Sequence, residues 1–128
     1  MVQNGEVGKI FRAGQVPTGL EGIYLGKVNF STNWQGKAFD ATASGGINIF
    51  WENGESNRYI PFKTYSGYGL LDPETRVLKI DYDLSVNPWW VRMILDELVE
   101  VSPGNYLGKL ILKTPWGGWA LGYFELQK

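Results

Sequence analysis

The chain has 128 residues, and its 12 basic and 13 acidic side chains leave a formal charge of −1. This balance argues against a basic nucleic-acid surface, so we expect no nucleic-acid partner. The chain has neither histidine nor cysteine, which excludes imidazole proton shuttles, thiolate nucleophiles, disulfides and zinc held by histidine or cysteine.

Alternating apolar and polar residues dominate the chain after its first twenty positions. Residues 1–19 lack this periodicity and are predicted to form an irregular N-terminal arm whose Ile10 and Phe11 pack against the body. Asn53-Gly54 is a strong hairpin signal, and Pro61 predicts an edge or bulged strand. The alternation predicts eight strands: Ile23–Phe30, Trp34–Asp40, Ile47–Trp51, Arg58–Tyr65, Val77–Asp83, Leu98–Val101, Tyr106–Lys113 and Trp119–Gln127.

A single short helix is predicted near residues 88–95. Asn87-Pro88 offers an N-cap followed by proline at the first helical position, and the helix could form a lid across one end of the strands. About eight strands at this spacing, with one short helix, predict an all-β sandwich or barrel. Residues 20–128 are expected to form one domain.

Two strands share a local sequence, Tyr24-Leu25-Gly26-Lys27-Val28 and Tyr106-Leu107-Gly108-Lys109-Leu110. A glycine in the middle of a strand permits a sharp bend or a close approach of a neighbouring group. We therefore expect Gly26 and Gly108 to have the same packing role, each permitting a bend or a close approach in its strand. The alternative is that the two glycines act together in the function.

Four motifs follow one another along the chain: Gly22-Ile23-Tyr24-Leu25-Gly26, Trp34-Gln35-Gly36-Lys37-Ala38-Phe39-Asp40, Lys79-Ile80-Asp81-Tyr82-Asp83-Leu84 with Arg92 downstream, and Gly122-Tyr123-Phe124-Glu125-Leu126. In this order they resemble the GXWXG-type domains, which are small calycin-like barrels related in shape to lipocalins and fatty-acid-binding proteins. Tyr24 stands where the family name has tryptophan. The resemblance implies an antiparallel calycin-like β-barrel with an interior cavity, and it implies no established reaction.

Aromatic side chains on the predicted strands either fill the core or line a cavity, since an eight-stranded barrel is just wide enough for both. Buried tyrosine hydroxyls also need partners, which a ligand or water could provide. The cavity hypothesis predicts a small, largely apolar or aromatic ligand of the lipid, isoprenoid or pigment class. Its expected binding residues are Tyr24, Trp34, Phe50, Trp51, Phe62, Tyr82, Trp89, Arg92, Tyr106 and Tyr123.

A second hypothesis is an isomerase, cyclase or lyase that needs no cofactor and works by holding its substrate in a reactive shape. Tyr82, Asp83 and Arg92 are its candidate catalytic residues. Arg92 could clamp a carboxylate, or it could simply pair with Asp83 or with Asp96, its i+4 neighbour. Asp81 and Asp83 could divide acid and base roles, or they could be solvated surface charges.

A third hypothesis is an interaction module that uses Trp116, Trp119 and one of Trp89 and Trp90 to bind a partner or a second copy in a homodimer.

The N-terminus lacks a signal-peptide core, and no stretch approaches the roughly 20 apolar residues of a membrane span. We therefore expect a cytoplasmic protein with no membrane span. We also expect the protein to hold neither a cofactor nor a metal ion.

Overall fold

The computed structural model describes residues 4–128, and eight strands of this part close into an antiparallel β-barrel. Each strand pairs with the next along the chain, and the last pairs with the first. The predicted all-β architecture of about eight strands is confirmed. The strands are β1 Gly22–Lys27, β2 Trp34–Asp40, β3 Gly45–Glu52, β4 Glu55–Tyr68, β5 Arg76–Asp81, β6 Ile94–Ser102, β7 Asn105–Thr114 and β8 Gly117–Gln127.

The predicted turn between β3 and β4 is confirmed. Asn53 and Gly54 have φ values of 53° and 78°, the left-handed conformation that a tight hairpin requires and that this residue pair adopts at low cost. The predicted irregularity at Pro61 is also present, because the β3–β4 register shifts between Ile47 and Asn48 where Pro61 lies opposite. It is a bulge and not an edge, since β4 pairs with strands on both sides.

The helix predicted near residues 88–95 is reduced to one 3₁₀ turn, Val91–Met93, and β6 begins at Ile94. A helix of this length is marginal by itself, whereas pairing of β6 with β7 provides a continuous ladder of backbone hydrogen bonds. Asn87 does not cap a helix. Its side-chain amide donates to the carbonyl oxygens of Pro61 and Tyr82, both at 2.9 Å, and thereby fastens the loop to the barrel.

The irregular arm predicted for residues 1–19 is wrong for residues 4–13, which form the helix α1, Asn4–Ala13. Two glycines in this helix each cost about 1 kcal/mol relative to alanine, so local propensity disfavours it. Packing of Phe11 compensates for the cost of these glycines, because its ring is fully buried against Val77, Val99 and Leu107 on the outer surface of the barrel. Within residues 4–128, neither α1 nor the 3₁₀ turn has the length and hydropathy that crossing a lipid bilayer requires.

The barrel has two unlike ends. Because antiparallel strands alternate in direction, the β1–β2, β3–β4, β5–β6 and β7–β8 connections lie together at one end, which we call the open end. A chain of edge-to-face ring contacts fills part of the interior, with centroids 5.2–5.8 Å apart. Its rings, in contact order, are Tyr106, Tyr24, Phe39, Phe62 and Tyr82.

Replacing Phe11 tests whether α1 is an integral part of the fold. Phe11→Ala removes a fully buried ring and should lower the free energy of unfolding by about 3–5 kcal/mol. Ile10→Ala is the matched control because Ile10 lies beside Phe11 on the same helix but is 48% exposed, and it should cost about 0.5 kcal/mol. Urea denaturation measures both variants, and equal losses would mean that α1 is not held by its buried ring.

Candidate functional site

A cavity of about 290 Å³ lies at the open end of the barrel. This volume is at the lower limit of small-molecule sites, which run from about 300 to 1,000 Å³. Most of its lining is apolar and comes from the strands and from the β1–β2 and β5–β6 connections. The lining residues are Val28, Phe30, Thr32, Trp34, Lys37, Asn48, Phe50, Ile60, Tyr82, Trp90, Val91, Ile94, Asp96, Leu110 and Phe124.

Four polar side chains of this lining form one hydrogen-bonded group, which we call the polar cluster: Lys37, Asn48, Tyr82 and Asp96. Each is at most 5% exposed. The Nζ of Lys37 lies 3.0 Å from Oδ2 of Asp96 and donates to Oδ1 of Asn48 at 2.8 Å and to the Tyr82 hydroxyl. The three N–H groups of the ammonium are therefore all used.

The rest of the polar cluster is almost completely satisfied. The Tyr82 hydroxyl donates to Oδ2 of Asp96 at 2.8 Å and accepts from the Asn48 amide at 3.1 Å. Asn48 also accepts from the indole nitrogen of Trp34 at 3.0 Å and donates to the Ile60 carbonyl at 3.0 Å. One acceptor is left over, because Oδ1 of Asp96 is buried without a hydrogen-bond partner among the described residues. Such an atom costs about 1–3 kcal/mol.

Strand register brings the polar cluster together. Lys37 on β2 lies directly opposite Asn48 on β3, and Ile80 on β5 lies opposite Asp96 on β6. Because side chains alternate between the two faces of a strand, Asp96 projects inward with Leu98, two residues further along β6. Tyr82 follows β5 on the same face as Ile80, which places its hydroxyl beside Asp96.

Four aromatic rings surround the Lys37 ammonium. Its Nζ lies 5.2–5.5 Å from the ring centroids of Trp34, Phe62, Tyr82 and Phe124. Ring faces attract a cation at such distances, and the attraction grows when the cation is desolvated. The rings therefore stabilise a positive charge on Nζ while keeping water away from it.

Burial changes the acid–base properties of two members of the polar cluster. Desolvation lowers the pKa of Lys37, against the opposing charge and hydrogen bond of Asp96. Desolvation also raises the pKa of the Tyr82 phenol, with a further contribution from the charge of Asp96. Tyr82 is therefore a neutral hydroxyl at neutral pH, and Lys37 loses its proton more readily than a lysine in water.

The repeated glycines explain how the cavity wall is built. The Trp34 ring lies over Gly26 and the Phe124 ring lies over Gly108, so closely that an added Cβ would meet either ring well inside 3.0 Å. The two rings contact each other edge to face, with centroids 5.6 Å apart. The glycines thus share one role, since each leaves room for a ring that lines the cavity.

The ten predicted ligand-binding residues fall into separate places. Trp34, Phe50 and Tyr82 line the cavity. Tyr24, Phe62 and Tyr106 are buried in the filled part of the interior. The other four lie elsewhere: Trp51 and Trp89 are exposed, Arg92 is on the surface, and Tyr123 packs against Phe11 outside the barrel.

The three candidate catalytic residues are not brought together. Tyr82 is inside, whereas Arg92 and Asp83 form a surface ion pair at 2.8 Å, with each side chain almost half exposed. Such a pair contributes little to stability, about 0–1 kcal/mol. The alternative pairing of Arg92 with Asp96 is wrong, because Asp96 lies on β6 and binds Lys37 inside the barrel. Asp81 accepts a hydrogen bond from Tyr65 at 2.6 Å.

Lys37, Asn48 and Asp96 are the members of the polar cluster that the sequence-based prediction missed. The signal was present in the alternation: Lys37 is two residues before the buried Phe39, and Asp96 is two residues before the buried Leu98. Of the adjacent Trp89 and Trp90, Trp90 contributes to the cavity lining although it is 58% exposed, and Trp89 is 75% exposed.

Comparison with known proteins gives no relative for this chain: no family model, no curated protein and no solved structure matches it. The function therefore has to be inferred from the cavity, its aromatic wall and the polar cluster.

The glycine under the Phe124 ring can be tested with a matched variant. Gly108→Ala should lower the free energy of unfolding by about 1–3 kcal/mol, because the added methyl group pushes the ring away from the wall. Gly122→Ala is the control, since an added Cβ there meets no atom of residues 4–128 within 4 Å, and any unfolded-state effect of alanine is common to both variants. Urea denaturation with near-UV circular dichroism measures the effect. Equal stability and equal spectra would contradict the proposed role of Gly108.

Proposed function

We propose that this protein is a small-molecule binding barrel that holds one largely apolar or aromatic ligand of the lipid, isoprenoid or pigment class. The observation that carries the proposal is an apolar cavity of about 290 Å³ that contains one buried polar cluster. Ligand sites commonly combine an apolar wall with a few fixed polar groups that orient the ligand. The apolar part of the ligand would fill the cavity, and its polar end would meet the polar cluster.

The charges of the polar cluster favour a ligand with a neutral polar end. Lys37 and Asp96 neutralise each other at 3.0 Å, and the three N–H groups of Lys37 are already used. A ligand carboxylate would find no free donor on Lys37 and would be repelled by Asp96. A ligand hydroxyl, in contrast, could donate to Asp96, whose Oδ1 lacks a partner among the described residues.

A second candidate function is a cofactor-independent isomerase, cyclase or lyase acting on a hydrophobic substrate in the same cavity. The observation that favours it is the pairing of a buried amine whose pKa is lowered with a buried phenol whose pKa is raised. The lowered pKa makes Lys37 a better base near neutral pH, and Tyr82, which keeps its proton, can donate a hydrogen bond to a substrate oxygen. The residues would be Lys37, Tyr82 and Asp96, with Asp83 and Arg92 outside the cavity.

We also propose a group of related barrels, a cellular location and a mode of self-association for this protein. The closed eight-stranded antiparallel barrel supports a place among the calycin-like barrels, with the GXWXG-type domains as the proposed group. A cytoplasmic location is compatible with the lack of cysteine. The 90% exposure of Trp116 and the 63% exposure of Trp119 support the third candidate, an interaction surface that could form a homodimer.

A pair of ligands that differ only at the polar end tests the proposed function. Decanol should bind at least about tenfold more tightly than decanoate, a difference of about 1.4 kcal/mol, because the carboxylate meets Asp96. Isothermal titration calorimetry, supported by quenching of tryptophan fluorescence, measures both affinities.

Two leucine variants test whether the ligand occupies the cavity. Leu110→Trp adds a large ring to the cavity lining and should weaken decanol binding at least about tenfold. Leu121→Trp is the control, since Leu121 lies on the neighbouring strand but is 54% exposed, and binding should be unchanged. The proposal would be wrong if neither ligand binds, if decanoate binds as tightly as decanol, or if both variants behave alike.

A further inference from the structure

Lys37 is a primary amine in the wall of a cavity that is otherwise mostly apolar. Its Nζ is buried, is surrounded by four aromatic rings and has a carboxylate oxygen at 3.0 Å. Desolvated lysines in apolar pockets are the amines that proteins use as nucleophiles toward carbonyl groups.

We propose that Lys37 captures an apolar aldehyde as a Schiff base, with the Asp96 carboxylate as the counterion of the resulting iminium. The inference rests on the proposed function, because the aldehyde must first enter the cavity. It also narrows the ligand class to molecules that have an apolar, preferably flat, body and a terminal carbonyl group.

The proton balance of the reaction closes within the Lys37–Asp96 pair. The Lys37 ammonium gives one proton to Asp96, which leaves a neutral amine beside a neutral carboxylic acid. The amine nitrogen attacks the aldehyde carbon, and transfer of a proton from nitrogen to oxygen gives the carbinolamine. Asp96 then returns its proton to the carbinolamine hydroxyl, the carbon–oxygen bond breaks, and water leaves. The products are one iminium, one carboxylate and one water, and no oxidant or reductant takes part.

The surroundings of Nζ suit each charge state along this path. Burial of Lys37 favours its neutral amine. Proton transfer from Lys37 to Asp96 neutralises both groups and so avoids the cost of keeping two charges away from water. The iminium that follows carries a positive charge at the same nitrogen, where Trp34, Phe62 and Phe124 already surround a cation. The second carboxylate oxygen, Oδ1, has no partner among the described residues and could accept a hydrogen bond from the carbinolamine hydroxyl.

Lys109 provides an internal comparison. It is 4% exposed, pairs with Asp72, and lies 4.7 Å and 5.6 Å from the ring centroids of Phe11 and Tyr123. It therefore shares burial, a carboxylate partner and aromatic neighbours with Lys37. The difference is location, because Lys109 lies on the outer side of the barrel wall beneath α1 and does not line the cavity. An aldehyde that reacts through the cavity should modify Lys37 and leave Lys109 unmodified.

The test uses cinnamaldehyde as the probe and cinnamyl alcohol as its unreactive counterpart. The 128-residue chain is incubated with cinnamaldehyde and sodium cyanoborohydride, which reduces the Schiff base to a stable amine, and the product is analysed by intact mass and peptide mapping. We expect one adduct per chain, located at Lys37 and formed at least about tenfold faster than an adduct at Lys109 or any exposed lysine. Excess cinnamyl alcohol should suppress the reaction at Lys37 alone.

Two variants separate loss of the amine from loss of the fold. Lys37→Arg keeps a cation beside Asp96 and cannot form an imine, so it should retain the wild-type near-UV circular dichroism and give no adduct in the cavity. Lys37→Met/Asp96→Leu removes both partners of the buried pair, which is often neutral or stabilising for a fold. It should show wild-type near-UV circular dichroism and no reaction faster than that of the exposed lysines.

The outcomes distinguish this inference from the proposed function. Binding of cinnamyl alcohol without modification of Lys37 by the aldehyde would overturn the inference and leave the binding function standing. Lack of binding by both probes, together with lack of decanol binding, would overturn both. Adducts spread evenly over exposed lysines, or an adduct at Lys109 as fast as at Lys37, would also overturn the inference.

Discussion

A buried ion pair between Lys37 and Asp96 governs the interior of this barrel. Removing two charges from water costs several kcal/mol per ion, and here the cost is offset by Asn48, by Tyr82 and by a shell of aromatic rings. The chain of ring contacts that fills one part of the interior ends at Tyr82 in the polar cluster. The cavity begins at the same cluster. A filled core and a binding cavity, which were alternatives from the sequence, thus occupy different parts of one barrel.

Strand periodicity is the part of the fold that the sequence predicts well. The eight strands, the Asn53-Gly54 turn and the bulge at Pro61 all follow from local rules that hold in any sheet. The two helical regions do not, because each is decided by contacts distant in sequence. Helix α1 depends on Phe11 reaching the outer surface of the barrel. The helix predicted after Asn87 is replaced by one 3₁₀ turn and by β6, which begins at Ile94 and pairs with β7.

The aromatic part of the candidate site could be predicted from the sequence, and its charged part could not, because burial of the charged residues depends on contacts distant in sequence. Trp34, Phe50 and Tyr82 were found because aromatic side chains on strands are conspicuous. Lys37 and Asp96 were missed because a charged residue on a strand is usually solvated, and its burial depends on the partner across the barrel. The predicted helix ended near residue 95 and the next predicted strand began at Leu98, so Asp96 fell between them. Extending that strand back to Ile94 shows Asp96 facing inward in alternation with Leu98. A lysine and an aspartate that share inward positions with buried apolar residues deserve to be considered as a pair.

The most direct test of the central claim is an NMR titration of the lysine side chains, followed through the ¹³Cε and ¹⁵Nζ resonances, with Lys37 assigned from the spectrum of Lys37→Arg. If Lys37 is buried beside Asp96 in the cavity wall, its pKa lies below the ordinary lysine value of 10.5, and its Nζ protons exchange slowly with water. A Lys37 resonance that titrates at the ordinary value, with fast exchange of its Nζ protons, would show a solvated lysine. The buried pair, and the site built on it, would then be wrong.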